Sequence, residues 1–164
     1  MNTRATEPVT LKAIGYVSRA AAPVESDELA ALEYEARMNN RATDITGLLV
    51  FDDGYYVQVL EGPVDAVDAT LERIRWDPRH EELEQVLDTP ISERSFARWA
   101  MASIDLRAPA ASVGIGNLAE DLAGFLARVD KVQQATSPVL LDAFQQVLTL
   151  LDKSRGERRE SRPR

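Results

Sequence analysis

The stretch that most constrains this chain is Asn39 to Gly62, NNRATDITGLLVFDDGYYVQVLEG. It reads as a helix end, a strand, a tight turn and a second strand. It also sets two amides where a plain sheet protein would want apolar side chains. Asn40 closes an amphipathic helix on that helix's apolar stripe, and Gln58 sits midway along an apolar strand. A buried amide without partners costs about 1–3 kcal/mol. Two such amides therefore predict a polar ligand with donors and acceptors along its edge.

The elements around this stretch follow in order. Residues 9–18 are rich in β-branched and apolar side chains and predict a first strand. Ser26 is a good N-cap for a helix over about 27–40, with Leu29, Leu32, Ala36 and Asn40 on one stripe. Residues 45–51 predict the second strand, Asp52-Asp53-Gly54 a hairpin turn, and residues 55–60 the third strand. Side chains alternate along a strand, so Tyr56, Gln58 and Leu60 share a face. Pro63 suits the first position of a second helix over about 63–75, with Val64, Val67, Leu71 and Ile74 as its stripe. Trp76 to His80 reads as a turn, and shorter strands follow near 83–89 and 99–106. The order βαββαββ predicts an α+β, ferredoxin-like sheet with both helices on one face. Its first and third strands lie side by side, which makes Tyr16 and Gln58 neighbours.

After residue 106 the pattern changes. Residues 107–116 form a small-residue linker, and two amphipathic helices are predicted over about 117–132 and 138–152. Such a pair covers the sheet face that the first two helices leave bare. Leu118, Leu122, Phe125, Leu126 and Val129 form the stripe of the first, and Leu140, Phe144, Val147, Leu148 and Leu151 that of the second. Val139, Leu141 and Leu150 lie off that second stripe and predict a contact with a second copy or a partner. Residues 1–8 read as a polar lead-in, 9–106 as the main domain, 117–152 as a helical cap, and 153–164 as a disordered charged tail.

Composition excludes several functions. A net charge of −8 argues against sequence-independent nucleic-acid binding. With no Cys and one His, thiolate chemistry and a multi-histidine metal site are out. No apolar run is long enough to span a membrane, and the N-terminus has no apolar leader, so a soluble cytoplasmic protein is expected.

Four motifs, GYVSRA, the Asn39–Gly62 stretch, IRWDPRH and RSFARWAM, occur in an order and at separations that resemble the BLUF family of blue-light sensors, which use a flavin, normally FAD. The resemblance covers about residues 9–106. It implies that Tyr16 is the photoactive tyrosine, Asn40 the flavin-binding asparagine and Gln58 the switching glutamine. It further implies a ribityl and phosphate role for Asp77, Arg79 and His80, and a relay role for Trp99 and Met101. Asn39 stands where some relatives carry His or Arg. Leu32 and Ile74 are the expected walls around the ring. On this reading excitation draws an electron and a proton from Tyr16, with Gln58 reorganising by rotation or tautomerisation. The signal then leaves by the last strand. Met101 is expected two residues after Trp99 on one strand face, and either could lie beside Gln58. No enzymatic output domain is expected. The implied partner is a separate effector protein bound through the cap or an oligomer face, in a dimer or larger homo-oligomer.

Each residue also has a plainer reading. Tyr16 alone is a core tyrosine, Asn40 a helix C-cap, Gln58 an edge polar residue, Trp99 and Met101 core packing, Arg79 and His80 surface groups. Their joint occurrence overturns these readings. Two rival functions share the fold: a cofactor-free interaction module, and an acylphosphatase-like hydrolase, which needs an anion-binding loop after the first strand. SRAAAPVES offers one Arg and no Gly-rich cradle.

Overall fold

The computed structural model describes residues 8–108, 117–130 and 138–160. Its elements are β1 (Leu11–Ala20), α1 (Ser26–Ala42), β2 (Thr46–Asp52), β3 (Tyr55–Pro63), α2 (Val64–Arg75), β4 (His80–Ile91), β5 (Ala102–Asp105), α3 (Leu118–Asp130) and α4 (Pro138–Glu160). The sheet order is β4-β1-β3-β2-β5. β3 lies between β1 and β2 and is antiparallel to both, which is the split βαβ arrangement. β5 extends the edge of the sheet, parallel to β2. The architecture is α+β and ferredoxin-like.

β2 explains the layering. Its apolar run does not alternate because both of its faces are buried. Leu49 and Phe51 pack with Leu29 of α1 and with Val67 and Leu71 of α2. Leu48 and Val50 pack on the other side with Leu122 and Phe125 of α3 and Phe144 and Val147 of α4. The β2–β3 turn works because Asp53 (φ 44°) and Gly54 (φ 83°) both adopt the left-handed conformation that a two-residue hairpin loop requires.

Several boundaries differ from the sequence expectations. Glu25, not Ser26, caps α1, and its backbone N–H donates to the Glu28 carboxylate at 3.0 Å. Pro63 is the N-cap of α2 rather than its first residue, because it remains paired with Leu11 in the sheet. His80 belongs to β4, paired with Ala20, so that strand starts earlier than expected. The strand expected at 99–106 is confined to Ala102–Asp105, which leaves Trp99 and Met101 in irregular backbone ahead of it.

The tail expected to be disordered is helical as far as Glu160. Lys, Arg and Glu are good helix formers, and continuing an anchored helix avoids the cost of nucleation. Leu141 is half-buried against the sheet–cap core rather than facing away from it. Among the described residues the exposed large apolar side chains are Val9, Tyr34, Met38, Tyr55 and Trp76, none of them on α4. The side chains of Val129, Val139 and Leu151, the lead-in 1–7, the linker 109–116 and residues 131–137 and 161–164 lie outside the described residues. No helix among the described residues is long and apolar enough to cross a membrane.

Candidate functional site

β1 and β3 are aligned so that Tyr16 and Gln58 are direct cross-strand partners. Both are buried on the face covered by α1 and α2, and the Tyr16 hydroxyl donates to Gln58 Oε1. Gln58 Nε2 points the other way, 3.4 Å from Met101 Sδ. Thioether sulfur is a weak acceptor, so the amide holds one strong and one weak partner. Burial pushes the Tyr16 phenol pKa far up, and nearby Tyr56 and Asp77 add to the effect. The phenol therefore holds its proton firmly in the ground state.

Asn40 lies in the last turn of α1, which runs two residues further than expected, to Ala42, and its side chain is not spent on the cap. Its backbone oxygen accepts from the N–H groups of Thr43 (3.2 Å) and Ile45 (2.9 Å). Its side chain, 2% exposed, sends Nδ2 to the Ala100 carbonyl at 2.7 Å. Among the described residues, no hydrogen bond reaches its Oδ1. A buried acceptor without a donor is a vacancy for an N–H group, and the imide edge of a flavin carries one. This buried acceptor fits the imide N–H at the edge of a flavin ring.

A cleft between α1, α2 and the sheet collects all the candidates expected on the cofactor side. Tyr16 and Gln58 lie on the sheet, Leu32, Asn39 and Asn40 come from α1 and Ile74 from α2, and Asp77, Arg79 and His80 follow α2. Sequence reasoning missed Glu35, Ala36, Leu49, Leu60, Thr70 and Arg73, which also line the cleft. The signal for two of them was present: Thr70, Arg73, Ile74 and Asp77 recur at helical spacing. Among the described residues, no cluster could hold a metal ion.

The outer end of the cleft is charged. Arg79 grips Asp77 (Nε to Oδ1 at 3.0 Å, Nη2 to Oδ2 at 2.6 Å) and also reaches Glu35 Oε2 at 3.1 Å. The Arg79 hydrogen bonds hold the Asp77 carboxyl below its usual range. His80 turns inward, with Nδ1 2.7 Å from Ser18 Oγ. Its ring lies 4.6 Å from that of Tyr56 and 6.1 Å, edge-on, from that of Tyr16. Burial pulls the imidazole pKa down, so the ring is neutral at neutral pH.

Trp99 and Met101 do not share a face. The irregular backbone ahead of β5 breaks the alternation, and three successive residues bind three different parts of the molecule. Trp99 packs against the cap-side core, and its Nε1 donates to Asp121 Oδ2 of α3 at 2.9 Å. The Ala100 carbonyl receives Asn40. Met101 is buried in the core on the α1–α2 side and is the one beside Gln58. Gly47 N–H donates to Trp99 O at 2.9 Å and so holds the segment to β2. Upstream, the buried Glu61 carboxylate accepts from the N–H groups of Ser95 (3.0 Å) and Phe96 (2.9 Å). Arg128 of α3 reaches Ser95 Oγ and Glu93 Oε1, both at 2.9 Å.

The family described as BLUF, sensors of blue light using FAD, matches residues 11–102. The photoactivated adenylate cyclase subunit beta of Euglena longa is 39% identical over 100 residues, which are 60% of this chain and 12% of that protein. The blue light- and temperature-regulated antirepressor BluF of Escherichia coli (strain K12) is 35% identical over 72 residues, 44% of this chain and 18% of that protein. This chain thus spans a small part of the curated relatives it matches. The solved dark-state structure of BlrB, a BLUF protein, has a TM-score of 0.60 at 22% identity. It covers 85% of this chain and 95% of its own, a likeness of fold.

Proposed function

This chain belongs to the BLUF family, sensors of blue light using FAD, and from that premise we propose that it is a blue-light photoreceptor whose switch is the Tyr16–Gln58 pair. The observation that carries the reading is the buried hydrogen bond from the Tyr16 hydroxyl to Gln58 Oε1, beside the open acceptor of Asn40. Asn40 and Gln58 hold the polar edge of the ring, and Leu32 and Ile74 flank its faces. Asn39, Asp77, Arg79 and His80 face the chain that leaves the ring.

A bound flavin supplies blue-light absorption and, once excited, an electron acceptor. Tyr16 gives up an electron, and its hydroxyl proton crosses to the Gln58 amide it already touches. The raised phenol pKa makes proton loss follow oxidation rather than precede it. The Gln58 side chain then reorganises, by rotation or tautomerisation, while electron and proton return to Tyr16. An amide that turns must give up its contact with Met101 Sδ. Met101 responds, and the 99–101 segment carries the change to α3 through Trp99. No covalent bond forms, so the resting arrangement returns thermally.

The chain itself performs no turnover in this reading. It signals to a separate effector protein, bound through the cap or through a second copy. Cyclase and antirepressor relatives support an effector as the output of such a domain.

Absorption spectra before and after blue light test the proposal. The purified chain is expected to be yellow, with a reversible red shift. Tyr16→Phe and Gln58→Leu should stay yellow and lose the shift. A wild-type shift in either variant refutes the assigned roles. A colourless chain that takes up no added flavin returns the case to a cofactor-free module.

A further inference from the structure

The stripe of α1 that carries Leu29 and Asn40 is buried, and the opposite face is not the charged surface that a helix in water usually shows. Ala30, Ala31, Tyr34 and Met38 lie there, all exposed, Tyr34 at 65% and Met38 at 48%. Tyr34 and Met38 are four residues apart and so are surface neighbours. Among the described residues they are the one pair of exposed large apolar side chains on a single helix. The face ends in charges of opposite sign. Asp27 stands seven residues before Tyr34 and Arg41 seven residues after it, two helical turns in each direction. Both are exposed, and neither is in an ion pair with a described residue. Ala30 and Met38 likewise stand four residues to either side of Tyr34. Turned end to end, the face is complementary to itself. The acidic neighbours would not oppose such a contact, because Glu33 is held by Arg37 and Glu35 by Arg79.

We propose that this face of α1 is a docking surface for a second copy of the chain, paired antiparallel about a twofold axis at Tyr34. Asp27 then meets the partner's Arg41, Ala30 meets the partner's Met38, and Tyr34 packs on its own counterpart. The twofold axis makes each of these contacts twice, apart from the one on the axis. A parallel pairing would set Asp27 against Asp27 and Arg41 against Arg41, so charge selects the antiparallel one. From Asp27 to Arg41 the contact runs about 21 Å along the helix. A single helix face buries less than the roughly 800 Å² per partner of a standard interface, so the dimer is a weak one. The inference stands apart from the photoreceptor reading, because none of these six residues lines the cleft.

Sedimentation equilibrium of the full-length chain from about 1 to 300 μM is the test. A monomer–dimer equilibrium with a Kd of about 10–100 μM is expected. Tyr34→Glu should weaken it about fivefold or more. Arg41→Asp and Asp27→Arg should each do the same, because both ion pairs become like-charge contacts. The double variant Asp27→Arg/Arg41→Asp should return to within about threefold of wild type. The chain has no Cys, so Tyr34→Cys should cross-link to a covalent dimer under mild oxidation, and Glu72→Cys, exposed on α2, should not. A chain that stays monomeric to the highest concentration overturns the proposal. So does a dimer indifferent to Tyr34→Glu, which would use another face. A charge swap that fails to restore what the single changes lose overturns the antiparallel pairing.

Discussion

The Trp99 indole donates to Asp121 Oδ2 at 2.9 Å, which ties the residue two positions before Met101 directly to α3. The Asp121 side chain is only 13% exposed, so this bond is sheltered from solvent. Met101 touches the Gln58 amide and Trp99 touches the cap. The backbone between them is pinned by Asn40 at Ala100. Gln58 and the cap are thus joined by two side-chain contacts and the three residues of backbone between them.

Asp121→Ala should keep flavin binding and the initial red shift. Its recovery in the dark should change at least threefold, and amide exchange in α3 should no longer depend on light. Asp121→Asn keeps an acceptor for the indole and should stay within twofold of wild type. Light-dependent exchange in α3 that survives Asp121→Ala would remove Trp99 from the route.

Tyr16→Phe deletes one oxygen and strands Gln58 Oε1 in the core. Urea unfolding of the apoprotein should show a loss of about 1–3 kcal/mol. Gln58→Leu alone should cost a similar amount, because it strands the phenol. The double variant should cost less than the sum, since both polar groups go together. Additive losses would mean that the pair is not coupled in the folded protein.

His80 is the only histidine, and burial depresses its pKa in the folded protein. The unfolded chain therefore binds more protons just below the ordinary histidine pKa of about 6.5. The resulting contribution is complete above that pH and is lost as pH falls towards the folded value. Acidification from about pH 7.5 to 5.5 should lower the urea midpoint of wild type more than that of His80→Gln. Equal slopes in the two proteins would show that the ring is not desolvated.

A Cβ on Gly47 would meet Val59 O at 2.0 Å, a clash with backbone that no side-chain rotation relieves. Gly47→Ala should cost about 2–4 kcal/mol and loosen the Gly47–Trp99 hydrogen bond. Gly15→Ala meets Leu140 Cδ1 at 2.7 Å, the end of a side chain that can turn away, and should cost less. Thermal unfolding of both variants checks the order, and a milder loss at Gly47 contradicts it.

The sequence by itself determined the α+β sheet and the partnership at its centre. Period-two alternation set Gln58 on the face of Tyr56 and Leu60, and the element order put the first and third strands side by side. Helical spacing aimed Asn40 along the stripe of Leu29. These are local patterns, and each can be read within one element. Sequence spacing did not decide which way Trp99 and Met101 face. Residues 92–101 have no periodicity, and their directions are fixed by partners far along the chain: Glu61, Gly47, Asn40 and Asp121. The ion pairing of Arg79 also depends on Glu35, which lies on a different helix. Regular structure repeats a rule that a short stretch can state. An irregular segment takes the shape that distant donors and acceptors impose, and those come together only when the chain is folded.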